Sequence, residues 1–271
     1  MAAAPILLVM PAYNRERYVA AAIKSVLAQT RGDFDLVVYD DGSTDGTLAA
    51  ARGAAGDDPR VRVLSGENLG FPRTINRAAA EAPGGQYFGW VDSDDLLAPT
   101  ALAETTAVLD ANPAVGMIYT SYVAIDAAGN TRGPGKRCQI PYSPQRLLVD
   151  FMTFHFRLMR RELFDRLGGV DPTYATTPDY DLCLKLSEIT EIRHVDRPLY
   201  AYRVHGAAMS QVDRLRLIQE SRDAIRAALK RRGLEGKVEL KLEVQAKFSL
   251  VEKRAASGAA GAVTRDSSAP A

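Results

Sequence analysis

Asp92-Ser93-Asp94-Asp95 places three carboxylates within four residues, directly after an apolar run that ends at Val91. Acids so close repel one another, and each is costly to bury unless a cation or hydrogen-bond donors neutralise it. A hard divalent cation, manganese or magnesium, meets that need: it takes a few carboxylate oxygens and completes its shell with water and the phosphate oxygens of a substrate. The same residues would also suit a solvated turn leading into a helix with Asp95 near its N-cap, the plainer reading of an isolated Asp-x-Asp. A second acidic cluster, Asp40-Asp41-Gly42-Ser43-Thr44-Asp45, follows another β-rich run. Gly42 supports a turn there, and Ser43, Thr44 or Asp45 can cap the helix that follows. Asp40-Asp41 is then left over, and a carboxylate at that point could accept from the imide N–H of uracil. Tyr13, in Pro11-Ala12-Tyr13-Asn14, leaves a third such run and offers a ring on which a base could lie, although packing is its commoner role.

These clusters gain meaning from the elements that carry them. Short β-rich runs over 6–10, 34–39, 60–64, 87–91 and 116–122 alternate with helical patterns, the signature of crossover units building a parallel sheet. In such a sheet ligands bind beyond the carboxyl ends of the strands, where all three clusters fall. Residues 15–29 place Val19, Ala22, Ile23, Val26 and Leu27 on one helical face, and 99–109 begins with Pro99 at a helix start. The Gly- and Pro-rich stretch 126–142 reads as a loop or hairpin excursion near the site. Beyond it we expect a strand over 154–159, a short helix over 161–167, a turn at 168–171, a helix over 179–187, strands over 192–195 and 199–204, and helices over 212–232 and 238–254. Residues 255–271, largely Ala, Gly and Ser, lack the apolar content to fold.

Composition narrows the class. The 271 residues are 46% hydrophobic and 25% charged, enough for a full globular core. With 34 basic and 33 acidic residues the net charge is +1, so no overall field draws the chain to nucleic acid. Cys138 and Cys183 are far apart and form neither a disulfide framework nor a zinc motif, which points to a reducing cytoplasm. The apolar start lacks a basic flank and meets Pro11 well short of a bilayer span, so no segment is expected to cross a membrane, and peripheral attachment at its inner face is left open.

Taken in order, Pro11-Ala-Tyr-Asn14, Ser25-Val-Leu-Ala-Gln29, Tyr39-Asp-Asp-Gly-Ser-Thr-Asp45, Asn68-Leu-Gly70, Val91-Asp-Ser-Asp-Asp95, Pro178-Asp-Tyr-Asp-Leu-Cys-Leu-Lys-Leu186 and Pro198-Leu-Tyr-Ala-Tyr-Arg-Val-His205 resemble the family-two inverting glycosyltransferases of the GT-A fold. The resemblance runs from Ile6 to about Ser210 and implies an α/β, Rossmann-like, mixed but mostly parallel sheet flanked by helices. A GT-A domain over 1–210 would have a donor half to about 125 and an acceptor half over 126–210, followed by a helical extension (211–254) and a disordered tail (255–271). It implies transfer of a sugar from a nucleotide-diphosphate donor, uridine diphosphate by preference, to a saccharide, lipid-linked or other hydroxyl acceptor. Pro11, Tyr13, Asp41, Arg73, Asp92 and Ser93 would then contact the donor, while Asp94, Asp92 and His205 would hold manganese or magnesium. Asp179 would be the catalytic base, and His155, Gly169 and Asp171 would lie on the acceptor side. The chain departs from the family at Pro178, where a glutamate is usual.

A base is needed whatever the family, since a sugar hydroxyl is a poor nucleophile until a carboxylate takes its proton. Helix-start electrostatics alone would also favour Asp179, and Asp181 equally. Two other readings fit less of the chain. A sugar nucleotidyltransferase would carry a Gly-rich phosphate loop after the first strand, where Pro11-Ala-Tyr-Asn14 stands, and a non-catalytic nucleotide-binding scaffold would have no use for both Asp94 and Asp179.

Overall fold

The computed structural model describes residues 5–206 and 213–242. In chain order the strands are β1 (Ile6–Ala12), β2 (Phe34–Asp40), β3 (Val61–Ser65), β4 (Tyr87–Trp90), β5 (Leu96–Leu97), β6 (Val115–Ile125), β7 (Thr131–Pro134), β8 (Arg157–Arg160) and β9 (Glu191–Arg203). The helices are α1 (Val19–Leu27), α2 (Thr47–Ala55), α3 (Phe71–Ala80), α4 (Ala101–Ala111), α5 (Arg161–Arg166), α6 (Pro178–Leu186) and α7 (Arg214–Arg231). β1 is buried along its whole length because strands flank it and helices cover both faces. Its side chains alternate between two cores: Ile6, Leu8 and Met10 pack with α1 and α4, whereas Leu7 and Val9 pack with α3, α6 and α7.

The sheet runs β3-β2-β1-β4-β8-β6-β9-β5, with β7 added to β6. The β3-β2-β1-β4 half is parallel throughout, as is the β6–β9 pair; β8 is antiparallel to both β4 and β6 and joins the two halves. Crossover helices between parallel strands leave the carboxyl ends of β1, β2 and β4 on one edge, and the three acidic or aromatic clusters emerge there together. The first unit spans Met1–Glu239; of a second, Leu240–Ala271, only residues 240–242 are described, none in helix or strand.

Several expectations are amended. The strand expected over 154–159 begins only at Arg157, since the Phe156 N–H is donated to Thr120 Oγ1 and the Phe154 N–H to Met152 O, which keeps 154–156 irregular. The two strands expected over 192–204 are one: Pro198, which has no N–H to give, falls at an irregularity in the β6–β9 register, so the ladder continues past it. The stretch 68–76, where the sequence reading places no helix, contains the start of α3, entered through Gly70 at φ +81° and Pro72 in the first turn. The excursion at 126–142 is a hairpin, β7 returning along β6. Of the helix expected over 238–254, residues 238–242 are not helical and the remainder lies outside the described residues, as does the tail 255–271.

Two glycines give a test of this packing. Gly89 in β4 has no room for a side chain, since an added Cβ would stand 2.7 Å from the Arg157 carbonyl oxygen on β8. Gly53 lies on the exposed face of α2 with nothing within 4 Å. Gly89→Ala should therefore lower the unfolding free energy by about 1–3 kcal/mol through overpacking, while Gly53→Ala should raise it by about 0.5–1 kcal/mol through helix propensity. Urea unfolding of the two variants against the parent checks both signs.

Candidate active site

The strand ends enclose a cavity of about 880 Å³ whose wall includes Pro11, Tyr13, Asp41, Asp92, Ser93, Asp94, His155 and Asp179. Of the residues singled out in the sequence, these eight are brought together. Tyr13, 46% exposed, leaves β1 with its ring free to meet a ligand. Asp41 is 4% exposed and already occupied: its carboxylate accepts from the backbone N–H groups of Leu69 (2.7 Å) and Gly70 (3.0 Å), and its carbonyl from Asn68 Nδ2 (2.9 Å). The carboxylate thus fixes the turn that opens α3, and only its remaining lone pairs are left for a base. Gly42 is forced by the same turn, with φ +73° and a would-be Cβ 2.9 Å from Asn68 N.

The cluster after β4 is held by side chains and backbone from the turn after β1 and from the end of β9. Asp94 Oδ2 accepts from Arg15 Nε at 2.9 Å, and His205 Nε2 lies 2.9 Å from the same oxygen. Burial alone would push Asp94 up, but His205 and Arg15 hold it below the ordinary carboxylate range. Asp92 has no such partner: Oδ1 is buried without a hydrogen bond among the described residues, and Oδ2 meets only His155 Nε2, 3.3 Å away. Burial and the neighbouring Asp94 push it up to about 7. His155 is kept neutral by burial and by the Arg157 and Arg137 charges, its ring stacked on Tyr200 at 5.0 Å. Asp95 does not cap a helix, since α4 begins only at Ala101; its Oδ1 accepts from the Arg203 backbone N–H at 2.6 Å. Arg203 Nε also donates to the Asp94 carbonyl, so β9 staples the acidic turn in place.

An orphaned, half-neutralised carboxylate beside an Asp–His pair is the donor set a hard cation would relieve. Of the three ligands expected from the sequence, His205 meets Asp94, whereas the contact of Asp92 is with His155. Among the described residues no group of three or more acidic, His or Cys side chains is gathered so as to hold a metal ion.

Asp179 stands in the first turn of α6, apart from that cluster. Its Oδ2 accepts from Arg157 Nη2 at 2.9 Å, and its Oδ1 from the Tyr180 N–H at 2.9 Å. Arg157 is 1% exposed, lies 5.0 Å from the Trp90 ring and gives a second hydrogen bond to Thr153 O. From α7, Glu220 accepts from both the backbone and the hydroxyl of Thr176, fixing the loop that leads into α6. Asp181 points elsewhere, buried with Lys185 Nζ 2.6 Å away.

Four expected site residues lie off the cavity wall: His205, which reaches the site through Asp94 Oδ2, and Arg73, Gly169 and Asp171. Arg73 is on the exposed face of α3. Gly169, at φ +82°, has room for no side chain beside Asn76, whose amide brackets Val170. Asp171 accepts from Thr173 and faces Lys185. The last two brace the 168–173 turn against α3 and α6. His155, placed on the acceptor side by the sequence, touches Asp92. Arg15, Arg157 and Arg203 escaped the sequence reading, though a charged residue set in Phe156-Arg157-Leu158-Met159, a strand with no exposed face, was a usable signal.

Residues 7–168 match the sequence model of glycosyl transferase family 2. The chain is 32% identical over 197 residues to chondroitin synthase of Escherichia coli, an alignment covering 73% of this chain and 28% of that protein. It is 33% identical over 207 residues to the O-antigen biosynthesis protein RfbC of Myxococcus xanthus, covering 75% and 16%. It therefore spans less than a third of the length of these curated relatives. Among solved structures, S. aureus TarS 1-349 in complex with UDP-GlcNAc aligns with a TM-score of 0.62 at 21% identity, covering 77% of this chain and 61% of that one. The mannosyltransferase PcManGT from Pyrobaculum calidifontis, in complex with GDP-Man and Mn2+, aligns with a TM-score of 0.59 at 20% identity, covering 89% and 77%. At such identities the structural likeness establishes the fold.

The Arg157–Asp179 pair should be visible energetically. Removing one member of a largely buried pair strands the other, so Arg157→Met should destabilise the protein by roughly 3 kcal/mol, the low end of the range for such pairs because Asp179 keeps some solvent contact. Asp179→Asn should cost less, and the double variant less than the sum of the two. Urea unfolding of this cycle giving strict additivity would mean that the two side chains do not interact.

Proposed function

The chain belongs to glycosyl transferase family 2 and has the GT-A fold, and from that premise we propose that it moves a sugar from a nucleoside diphosphate donor to an acceptor hydroxyl, inverting the anomeric carbon, in the synthesis of a polysaccharide or other glycoconjugate. One observation carries this reading: Asp92 with Asp94, and Asp179 held by Arg157, open onto the same cavity from separate elements. Metal-type carboxylates and a carboxylate outside their cluster are what a single displacement requires.

We assign the nucleoside to the slot between Tyr13 and the turn organised by Asp41, with uridine diphosphate as carrier; Pro11 and Ser93 line its wall. A manganese or magnesium ion held by Asp94, Asp92 and His205 would neutralise the charge growing on the diphosphate leaving group. Arg15, already beside Asp94, is placed to meet the same phosphates. Asp179 takes the acceptor proton as the acceptor oxygen bonds to the anomeric carbon, while the bond from that carbon to the diphosphate breaks and its electron pair leaves with the phosphate. Arg157 orients the carboxylate by fixing Oδ2, a support that stands in for the glutamate replaced here by Pro178. Among the described residues no helix is long and apolar enough to cross a membrane, and Cys138 and Cys183 are buried free thiols, which supports a cytoplasmic setting.

Asp179→Asn should lower transfer by roughly 10²–10⁴-fold, the usual loss for a general base, while calorimetry shows manganese–nucleoside diphosphate binding unchanged. Asp181→Asn, which disturbs only the buried contact with Lys185, should lose stability and keep its turnover. An active Asp179→Asn, or a folded but dead Asp181→Asn, would overturn the assignment of the base. Asp94→Ala should abolish the metal-dependent part of nucleoside diphosphate binding, as chelator does; equal affinity with manganese, with chelator and in the variant would remove the metal from the account.

A further inference from the structure

The chain is nearly neutral overall, yet residues 127–149 contain Arg132, Lys136, Arg137 and Arg146 and no acid at all, so the remainder carries more acids than bases. This segment forms the hairpin and the stretch after it that close one side of the cavity. Arg146 is paired with Asp150 at 2.9 Å. Arg137 is not: no carboxylate pairs with it among the described residues, and its guanidinium carbon lies 5.2 Å from the Phe154 ring centroid and 5.7 Å from that of Phe151. Arg157, which holds Asp179, also lies 5.7 Å from the Phe151 centroid. The two guanidinium groups therefore share one aromatic ring as neighbour, which puts Arg137 at the end of the cavity where Asp179 would meet the acceptor. Arg137 is exposed, so it is the aromatic faces beside it that pre-orient its guanidinium, with the N–H fork turned to take a planar anion.

We propose that Arg137 reads a negative charge on the acceptor, a carboxylate or phosphate carried close to the reacting hydroxyl, so that the acceptor is an acidic glycan or polyol phosphate rather than a neutral one. Lys136 adds to the local field. The inference rests on the glycosyltransferase reading above for what Asp179 does, but it makes a separate claim about acceptor charge. An anionic membrane surface would answer the same charges less well, because Arg137, although exposed, is a residue of the cavity wall.

The test is equilibrium binding, in the presence of uridine diphosphate and manganese, of three probes: a uronic-acid-containing oligosaccharide, the same oligosaccharide with its carboxyl groups reduced to alcohols, and a short polyol phosphate oligomer. At least one acidic probe should bind about tenfold more tightly than the reduced glycan. Arg137→Gln should remove that preference and Arg137→Lys restore part of it, since lysine keeps the charge but not the fork. Whichever acidic probe binds identifies the source of the charge. Equal affinity for acidic and reduced glycans, no binding of either acidic probe, or binding only to vesicles containing phosphatidylglycerol overturns the proposal. So does a loss of nucleoside diphosphate affinity in Arg137→Gln, which would assign the guanidinium to the donor. Failure of the wild-type protein to bind any nucleoside diphosphate would instead strike the glycosyltransferase reading, so the two failures are distinct.

Discussion

Everything at this site follows from holding five carboxylates, Asp41, Asp92, Asp94, Asp95 and Asp179, at one edge of a sheet where little water reaches. Each is neutralised differently. Asp41 takes two backbone N–H groups, Asp94 an arginine and a histidine, Asp95 a backbone N–H from β9, and Asp179 a buried guanidinium. Asp92 and Asp95 each keep a buried oxygen without a hydrogen bond among the described residues. A buried charge with partners is stable, and one without is costly. Of these two only Asp92 lies on the cavity wall, which makes it the one a ligand could reach.

The topology makes this distribution possible. Parallel crossovers bring the ends of β1, β2 and β4 together, and β8, antiparallel to its neighbours, carries Arg157 across to meet α6. Trp90 at the end of β4 provides the face against which Arg157 lies, so the same strand that launches the acidic turn also supports the cation that holds the candidate base. β9 returns from the far side and fastens the turn through Arg203. α7 then braces the approach to Asp179 through Glu220, which gives that helix a part in the geometry of the site as well as in the core.

The strand-end acids were legible because composition and position coincide there: three polar clusters followed three apolar runs, and the parallel-sheet rule placed them together. The central strands and most helices were readable for the same reason. Arg157 was not, because a charged residue in a short strand normally faces water, and only the lack of any polar alternation in its neighbours hinted otherwise. α3 was lost to its Gly-Phe-Pro entry, and with it the direction of Arg73: once Pro72, Thr74, Ile75, Ala78 and Ala79 face inward, Arg73 must face out. Gly169 and Asp171 lay in a turn whose sequence suits either a ligand loop or a brace, and only the contact with Asn76 distinguishes them. The contact of His155 with Asp92 joins the segment before β8 to the turn after β4, and no local pattern encodes it.

The claim most central to this account is that Asp179 acts by a single displacement, as a base held off the metal cluster by Arg157. It is tested most directly by following the anomeric configuration through the reaction with proton NMR, using an α-linked nucleoside diphosphate sugar and an accepting oligosaccharide. The account predicts that the first product formed carries a β linkage. An α linkage in that product, or a sugar trapped covalently on the protein, would show that the reaction passes through two displacements and that the carboxylate held by Arg157 has some other role.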